Sequence, residues 1–317
     1  MHTTEEVTLA RLPSGVPIRT TVHVYGSGSP TIYTQAAQHG QEVNGAEVLR
    51  RLHDRLTGGP DLDGTLIAVP IADPLTFDRV SYTTPEALDS VNPNMNRCWP
   101  GSLKGSLHER MAARLWEYIE QADAIVDLHT GSLSMLTHAV YLQGDTECRR
   151  LAEAFGTDLL LAEAAGDEAA TEWSERGFGR KLRVVATRHG IPSITPELAH
   201  NKQLVEPAIE TGVEGLEAVL AEWGLLDGNA SPWEGTVARN HLGRVGATDS
   251  GLFRPAAGIE VGADVQEGQF LGDVYDPTTY ERLQEVRADR DGILYSITRE
   301  ASVTTGSTLV GVAERFE

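Results

Sequence analysis

Pro30-Thr-Ile-Tyr-Thr-Gln-Ala-Ala37, running into Gln38-His39-Gly40-Gln41-Glu42, is the stretch on which the reading of this chain turns. The first eight residues have the pattern of an extended, buried strand, and Gln41 to Leu56 then carries Val48, Leu49, Leu52 and Leu56 at helical spacing. His39 and Glu42 therefore fall where a strand gives way to a helix. Residues three apart in a helical turn share a side, so both can face one ion, with Gly40 letting the backbone pass close to it. Ala124-Ile-Val-Asp127-Leu-His129 is a second apolar strand, ending in a histidine and followed by Thr130-Gly131-Ser132. Ile191-Pro-Ser-Ile-Thr-Pro-Glu197-Leu is a third, ending in an acid.

In open α/β sheets ligands bind at the carboxyl ends of strands, which is where these groups sit. A catalytic Zn²⁺ takes three protein ligands and keeps a fourth position for water. His39, Glu42 and His129 supply that count, for one Zn²⁺ per chain, and Glu197 is left over as general base. Asp127, two residues before His129, points to the same side of its strand and is placed to accept the proton on that imidazole's other nitrogen. Each piece alone has a bland explanation. An isolated His-x-x-Glu is common on solvated helix faces, and a lone Glu197 reads equally as a capping or ion-paired acid. Three strand ends delivering His/Glu, Asp-x-His and Glu in order is a much rarer coincidence. His2, His23, His53, His108 and His241 read as ordinary surface or core residues.

Four ordered blocks, Gln38-His39-Gly40-Gln41-Glu42, Asn92-Pro93-Asn94-Met95-Asn96-Arg97-Cys98-Trp99-Pro100-Gly101, Asp127-Leu128-His129-Thr130-Gly131 and Ile194-Thr195-Pro196-Glu197-Leu198, resemble the succinylglutamate desuccinylase/aspartoacylase family. That family is related to zinc carboxypeptidases. The resemblance implies His39, Glu42 and His129 as zinc ligands, Glu197 as acid/base, and Asn96 and Arg97 as a pair gripping a substrate carboxylate. A guanidinium presents a planar fork to a carboxylate, which agrees with that role. In a chain this acidic, Arg97 in a surface ion pair is the competing explanation. Arg188, nine residues before Glu197, is similar in placement to another substrate-contacting arginine of aspartoacylase once a one-residue gap is allowed. Aspartoacylase also carries an arginine eight positions before the Asn-Arg pair, where this chain has Asp89. The family often draws a tyrosine from its C-terminal domain, and Tyr275, Tyr280 and Tyr295 cannot be separated by sequence.

The implied chemistry is hydrolysis of an amide: a metal of this kind acidifies water and Glu197 takes and returns the proton. The expected substrate is a small N-acylated amino acid or amine bearing a carboxylate. A zinc carboxypeptidase acting on peptides and a non-catalytic binding protein on the same fold are the alternatives.

The 317 residues carry 46 Asp and Glu against 26 Lys and Arg, a net charge of −20. Lys104, Lys181 and Lys202 are the only lysines. Such an acidic, lysine-poor chain suits solubility in concentrated salt, where self-repulsion is screened within about 3 Å, so a halophilic source is expected. The charge also argues against nucleic acid as partner, since phosphate binding needs basic patches. No apolar run approaches the ~20 residues of a spanning helix, and Met1-His-Thr-Thr-Glu-Glu lacks the regions of a secretory signal, so a cytoplasmic protein without membrane attachment is expected. Cys98 and Cys148 lack metal-type spacing, and Cys98 reads as packing and not as a nucleophile. Homo-oligomerisation is left open.

Residues 1–228 alternate strand-like and helix-like segments, the pattern of an α/β domain with a mixed central sheet flanked by helices. Ser106-Leu-His-Glu109 is a capping box opening a helix through about Ala122, with Met111, Leu115 and Ile119 on its buried face. Val205 to Leu226 reads as a long amphipathic closing helix, and Asp227-Gly228-Asn229-Ala230-Ser231-Pro232 as a linker. Residues 229–317 then read as a smaller all-β barrel or sandwich, from short runs such as Gly251-Leu-Phe-Arg-Pro, Gly258-Ile-Glu-Val-Gly262 and Gly292-Ile-Leu-Tyr. Such Gly-rich pieces also suggest a biotinyl or lipoyl carrier, but those attach their cofactor to a lysine and none follows Lys202.

Overall fold

The structure, a computed structural model, describes residues 1–165, 169, 171–228, 232–239 and 244–316. The chain opens with a hairpin, β1 (His2–Arg11) and β2 (Pro17–Ser27), then β3 (Thr31–Gln35), α1 (Asn44–Gly58), β4 (Gly64–Val69), α2 (Pro74–Arg79) and α3 (Leu107–Ile119). Next come β5 (Ala124–Asp127), β6 (His129–Gly131), β7 (Ser134–Met135), β8 (His138–Leu142), α4 (Thr146–Phe155), β9 (Leu159–Glu163), α5 (Thr171–Glu175), α6 (Leu182–Arg188), β10 (Ser193–His200) and α7 (Glu206–Glu222). Only strands follow among the described residues: β11 (Thr236–Arg239), β12 (Arg244–Gly246), β13 (Gly251–Pro255), β14 (Asp264–Val265), β15 (Phe270–Tyr275), β16 (Arg282–Arg287), β17 (Gly292–Ile297), β18 (Ser302–Val303) and β19 (Thr308–Arg315).

The central sheet runs β1-β2-β4-β3-β5-β10-β8-β9-β11-β19-β17-β14. Its middle is parallel, with β3 between β4 and β5 and β10 beside β5, while β8 lies antiparallel to β10. Parallel strands are covered on both faces, and alternation along β3 shows it. Ile32 enters the core formed with Val48, Leu49 and Leu52 of α1 and with α7, whereas Tyr33 enters the opposite core with Met111, Leu115 and Ile119 of α3. The expected capping box is present, with Ser106 bonded to the third-residue backbone and Glu109 reaching back. Its helix ends at Ile119, earlier than the pattern suggested.

Three expectations change. Helix α1 begins at Asn44, so Glu42 lies before it in a turn closed by Glu42 N–H donating to His39 O at 3.0 Å. The Ala124 to His129 strand breaks at Leu128, whose N–H turns to Gln35 O, 2.8 Å away. Gly258-Ile-Glu-Val-Gly262 is a pair of turns, not a strand, with positive φ of 79° at Gly258 and 93° at Gly262.

The C-terminal strands are built on the first part of the chain. β11 pairs parallel to β9 and antiparallel to β19, so the sheet is continuous across the segment read as a linker, whose residues 229–231 lie outside the described residues, as does His241. A separate antiparallel sheet, β16-β15-β13-β18, packs its Phe253, Leu271, Val274 and Val286 into a core shared with Leu294 of β17 and Leu309 and Val310 of β19.

Candidate active site

The turn that carries His39 and Glu42 is held against α2. Gly40 N–H donates to Ser81 O at 3.0 Å, and a Cβ on Gly40 would lie 1.9 Å from Thr76 O. The glycine is therefore required by backbone against α2, not by the approach of an ion. Opposite, β6 brings His129 next to the turn, and Thr130 N–H donates to Glu42 Oε2 at 3.2 Å.

Both imidazoles point the same ring atom at Glu42. His39 Nδ1 lies 2.9 Å from Oε1 and His129 Nδ1 lies 2.9 Å from Oε2, with all three side chains buried. The remote nitrogens have acceptors of their own: His39 Nε2 faces Asn94 Oδ1 at 3.1 Å and His129 Nε2 faces Asp127 Oδ2 at 3.0 Å. A neutral ring that donates from Nε2 has only a lone pair at Nδ1, and a carboxylate has only lone pairs to meet it. With both rings donating from Nε2, two such lone-pair contacts at 2.9 Å are the arrangement that a metal ion held between the rings and Glu42 would satisfy. The donor set of two nitrogens and one oxygen, with its atoms all within 4.8 Å, fits Zn²⁺. Burial alone would raise the Glu42 carboxyl, but the two imidazoles hold it at about 2. Burial likewise opposes a proton on His129, and Asp127 and Glu42 outweigh it, holding that group well above the usual imidazole range.

Asp127 is itself gripped. Gln35 Nε2 donates to Oδ1 at 2.9 Å and Gln38 Nε2 to Oδ2 at 3.0 Å, while Trp99 Nε1–H fixes the Gln38 amide by donating to its oxygen at 2.8 Å. Asn94 Oδ1 also accepts from Asn96 N–H at 2.9 Å, so the Asn-Pro-Asn-Met-Asn-Arg block supports His39 as well as supplying Arg97.

Glu197 pairs in register with both His129 and His138, which sets it beside the imidazole cluster. Burial pushes its carboxyl up to about 7; His129 pulls it down and Glu42 pushes it further up. An acid poised near neutrality suits proton transfer in both directions. The cleft in front of it, about 320 Å³, is lined by Arg97, Arg176, Lys181, Arg183 and Arg244, and among the described residues its lining carboxylates are Glu42 and Glu197. Arg97, Arg176 and Lys181 gather on the face of Phe178, at 4.6, 5.0 and 3.6 Å from its centre. Arg97 donates to the carbonyls of Asn96 and Arg176 and has no carboxylate partner among the described residues. Arg183, 2% exposed, donates from Nη2 to Glu163 Oε2 at 2.5 Å, yet its Nε and Nη1 have no partner among the described residues. Burial lowers the Lys181 ammonium to about 8 although Glu163 lies 3.2 Å away.

Arg188 does not line this cleft. It ends α6, donates to Gly179 O at 3.3 Å and lies over the Trp173 ring. Asp89 has no part in the cleft either. Its carboxylate accepts Val91 N–H (3.1 Å), Asn92 N–H (2.8 Å) and His108 N–H (2.9 Å), organising the loop that delivers Asn94 to Arg97. His108, read as ordinary, bridges this loop to α2 through Asp73 Oδ2 at 3.1 Å. Of the three C-terminal tyrosines only Tyr295 reaches the cleft; Tyr275 donates to Asp273 and Tyr280 is 82% exposed. Tyr295, Ser296, Arg244 and Thr308 show that the C-terminal strands close one wall. Cys98 is buried, donates to Met95 O, and its thiol is pushed by burial up to about 12. Tyr82, stacked on His39 with ring centres 4.0 Å apart, and the cations Arg176, Lys181 and Arg183 belong to no block that the sequence offered.

Residues 28–223 match the model of the succinylglutamate desuccinylase/aspartoacylase catalytic domain. This chain belongs to that family. Within the desuccinylase/aspartoacylase family, a similar sequence is the N-alpha-acetyl-L-2,4-diaminobutyric acid deacetylase of Halomonas elongata, 28% identical over 95% of this chain and 87% of that one. Among solved structures, a succinylglutamate desuccinylase/aspartoacylase from Rhodobacter sphaeroides superposes with a TM-score of 0.84 at 21% identity, covering 99% of this chain and 96% of its own. The ectoine utilization protein EutE (DoeB) of Ruegeria pomeroyi, in a product-bound structure, gives 0.79 at 23% identity, covering 99% and 94%. These two likenesses establish the fold; the family assignment rests on the catalytic-domain match.

Proposed function

We propose that this chain is a zinc-dependent amidohydrolase that removes the acyl group from a small N-acylated amino acid or amine bearing a carboxylate. The observation that carries the reading is the pair of Nδ1 atoms turned on one carboxylate, each ring fixed from behind by Asn94 or Asp127, with Glu197 alongside. One Zn²⁺ held by His39, Glu42 and His129 would acidify water and polarise a carbonyl. Glu197 takes the proton of the attacking water and returns it to the leaving amine, a two-way role that its position near neutrality supports. Arg97, with Asn96 bracing the loop behind it through Leu182 N–H, anchors the substrate carboxylate and so fixes where the amide lies.

The cleft is cationic inside a chain of net charge −20, and Arg183 carries buried donors with no partner among the described residues, which supports an anionic substrate. Its volume of about 320 Å³ is at the small end for ligand sites and favours a single acylated amino acid over a peptide. The relative from Halomonas elongata makes N-acetyl-diaminobutyrate the first compound to try. We place the enzyme in the cytoplasm: no helix among the described residues is long and apolar enough to cross a membrane, and both cysteines are free and buried.

The test is turnover of N-acetyl-diaminobutyrate, N-acetyl and N-succinyl amino acids, and a dipeptide, before and after chelation and zinc return. Hydrolysis of an N-acyl amino acid that vanishes with the metal supports the reading. Preference for the dipeptide, or full activity after stripping, refutes it.

A further inference from the structure

We propose that His2, His23 and His53 form a second metal site, sharing no residue with the first, which takes a borderline divalent cation such as Zn²⁺ or Ni²⁺. It stands independently of the deacylase reading. The strand register creates the cluster. His2 lies opposite Tyr25 across the β1–β2 hairpin, and His23, two residues before Tyr25, shares its face, so His2 and His23 are diagonal neighbours. His53 reaches the same face from α1.

One ring nitrogen from each histidine lies within 4.8 Å of the other two. Some point then lies no more than roughly 2.8 Å from all three, against the 2.0–2.1 Å of a zinc–imidazole bond, so each ring need advance by less than about 0.8 Å. His2 Nε2 and His23 Nδ1, 3.2 Å apart, already have the spacing of two nitrogens on one tetrahedral centre, roughly 3.3 Å. The rings are held from behind. Tyr25 OH is 2.9 Å from His53 Nδ1, the kind of support that fixes a ligating imidazole through its other nitrogen, and the His2 ring stacks on Tyr25 with centres 4.4 Å apart. All three histidines are half-buried, and a recess of about 160 Å³ lined by Met1, Tyr25 and Asp61 adjoins His2. With three protein ligands, a fourth position would fall to water. Three imidazoles without a carboxylate select zinc, nickel or copper over magnesium or calcium. An ion there ties the hairpin at the sheet edge to the helix that follows the His39–Glu42 turn.

The experiment uses full-length chain without an affinity tag, stripped of metal, re-equilibrated with zinc, desalted, and analysed for bound zinc by mass spectrometry. We expect about two ions per wild-type chain and about one in His23→Gln and in His53→Gln, with hydrolytic rate retained in both. A His39→Gln/His129→Gln double variant should keep about one ion and gain a few degrees in Tm on adding zinc, a gain abolished by the further change His53→Gln. No zinc held by the double variant overturns the proposal and leaves the three rings a stacked aromatic cluster. Two ions in wild type that persist unchanged in both His23→Gln and His53→Gln overturn it equally. The double variant keeps every ring of the proposed site, so it decides the matter even where a glutamine variant at 23 or 53 fails to fold.

Discussion

Gly40→Ala replaces one hydrogen by a methyl group at the closest backbone approach in the metal-ligand turn. The new Cβ would lie 1.9 Å from Thr76 O, 2.0 Å from Thr76 C and 2.3 Å from Phe77 N, and ordinary contact begins at 3.4 Å. Turn and helix must therefore part by about 1.5 Å, several times the ±0.2 Å within which zinc ligands hold their distances. Neither side yields freely. α2 is fixed by its Asp73 cap on the N–H groups of Leu75 and Thr76, and the segment before the turn by Ala72 N–H to Ala36 O and Asp73 N–H to Ala37 O. Overpacking of this kind costs about 1–3 kcal/mol, which a domain of ordinary stability survives, so the variant should fold with a Tm lowered by several degrees. Its zinc affinity should fall by more than the 10–100-fold that loss of one supporting hydrogen bond costs, that is by more than about 2.7 kcal/mol. Competition against a chromogenic zinc chelator reads the affinity, and circular dichroism reads the fold. Gly58→Ala is the control: nothing lies within 4 Å of its Cβ, and it should match wild type. A folded Gly40→Ala protein whose zinc affinity and kcat/KM fall within about threefold of that control would refute the argument that this contact positions the ligands.

Four further outcomes follow from the same contacts. Glu197→Gln should lose about 10²–10⁴-fold in kcat while binding zinc as wild type does, because its carboxyl moves protons and is not among the clustered ligand atoms; lost zinc would instead make it a ligand. Asp127→Asn keeps the shape but removes the charge behind His129 Nε2, and zinc affinity measured by the same chelator competition should drop about 10–100-fold; an unchanged value would mean that Asp127 serves only the Gln35 and Gln38 amides. For His108, burial lowers the imidazole value, but Asp73 and Asp89 raise it above the unfolded 6.5. Its stabilising effect is thus complete below about pH 6.5 and lost as pH rises through the folded value, so the urea midpoint should fall as pH is raised from about 6.5 in wild type and less so in His108→Gln. With a net charge of −20, both Tm and the rate at saturating substrate should rise from dilute buffer to about 1 M KCl, where charges are screened beyond about 3 Å; a flat response would remove the case for a salt-adapted chain.

What the sequence disclosed of this site follows from how each residue is presented. His39, His129 and Glu197 stand at or just past the ends of apolar strands, and strands of a mostly buried sheet advertise themselves by continuous hydrophobic runs, so their convergence was legible before any coordinates. The turn was not, because Val48, Leu49 and Leu52 mark the buried face of α1 without marking its first residue, and a helix with no side-chain cap leaves no signal for where it begins. Gly40 was assigned to the wrong neighbour for a related reason: one glycine says that something comes near, not what. The cations fared worst. Arg176, Lys181 and Arg183 surround the Phe178 turn and the start of α6, with no periodic relation to the four blocks, and only the packing of that segment across β9 turns them towards the cleft.

The two histidine clusters make the same point from opposite sides. His129 was found because it closes an apolar run and has Asp127 two residues before it, relations that lie along the chain. His2, His23 and His53 meet through cross-strand register and a helix laid over the sheet, relations that no window of sequence contains. The −20 net charge was plain from composition, yet composition has no geometry: the chain is anionic as a whole while its cleft gathers five cations. A field of that shape repels other acidic surfaces from the body of the protein and still draws a small carboxylate to the site, so raising ionic strength should raise KM for an anionic substrate even as it stabilises the fold. A KM and a Tm that both rise with salt would show these two consequences of charge separately, weaker substrate capture beside a firmer fold, and a KM indifferent to salt would mean that the clustered arginines are fully engaged by one another's backbone and add no long-range attraction.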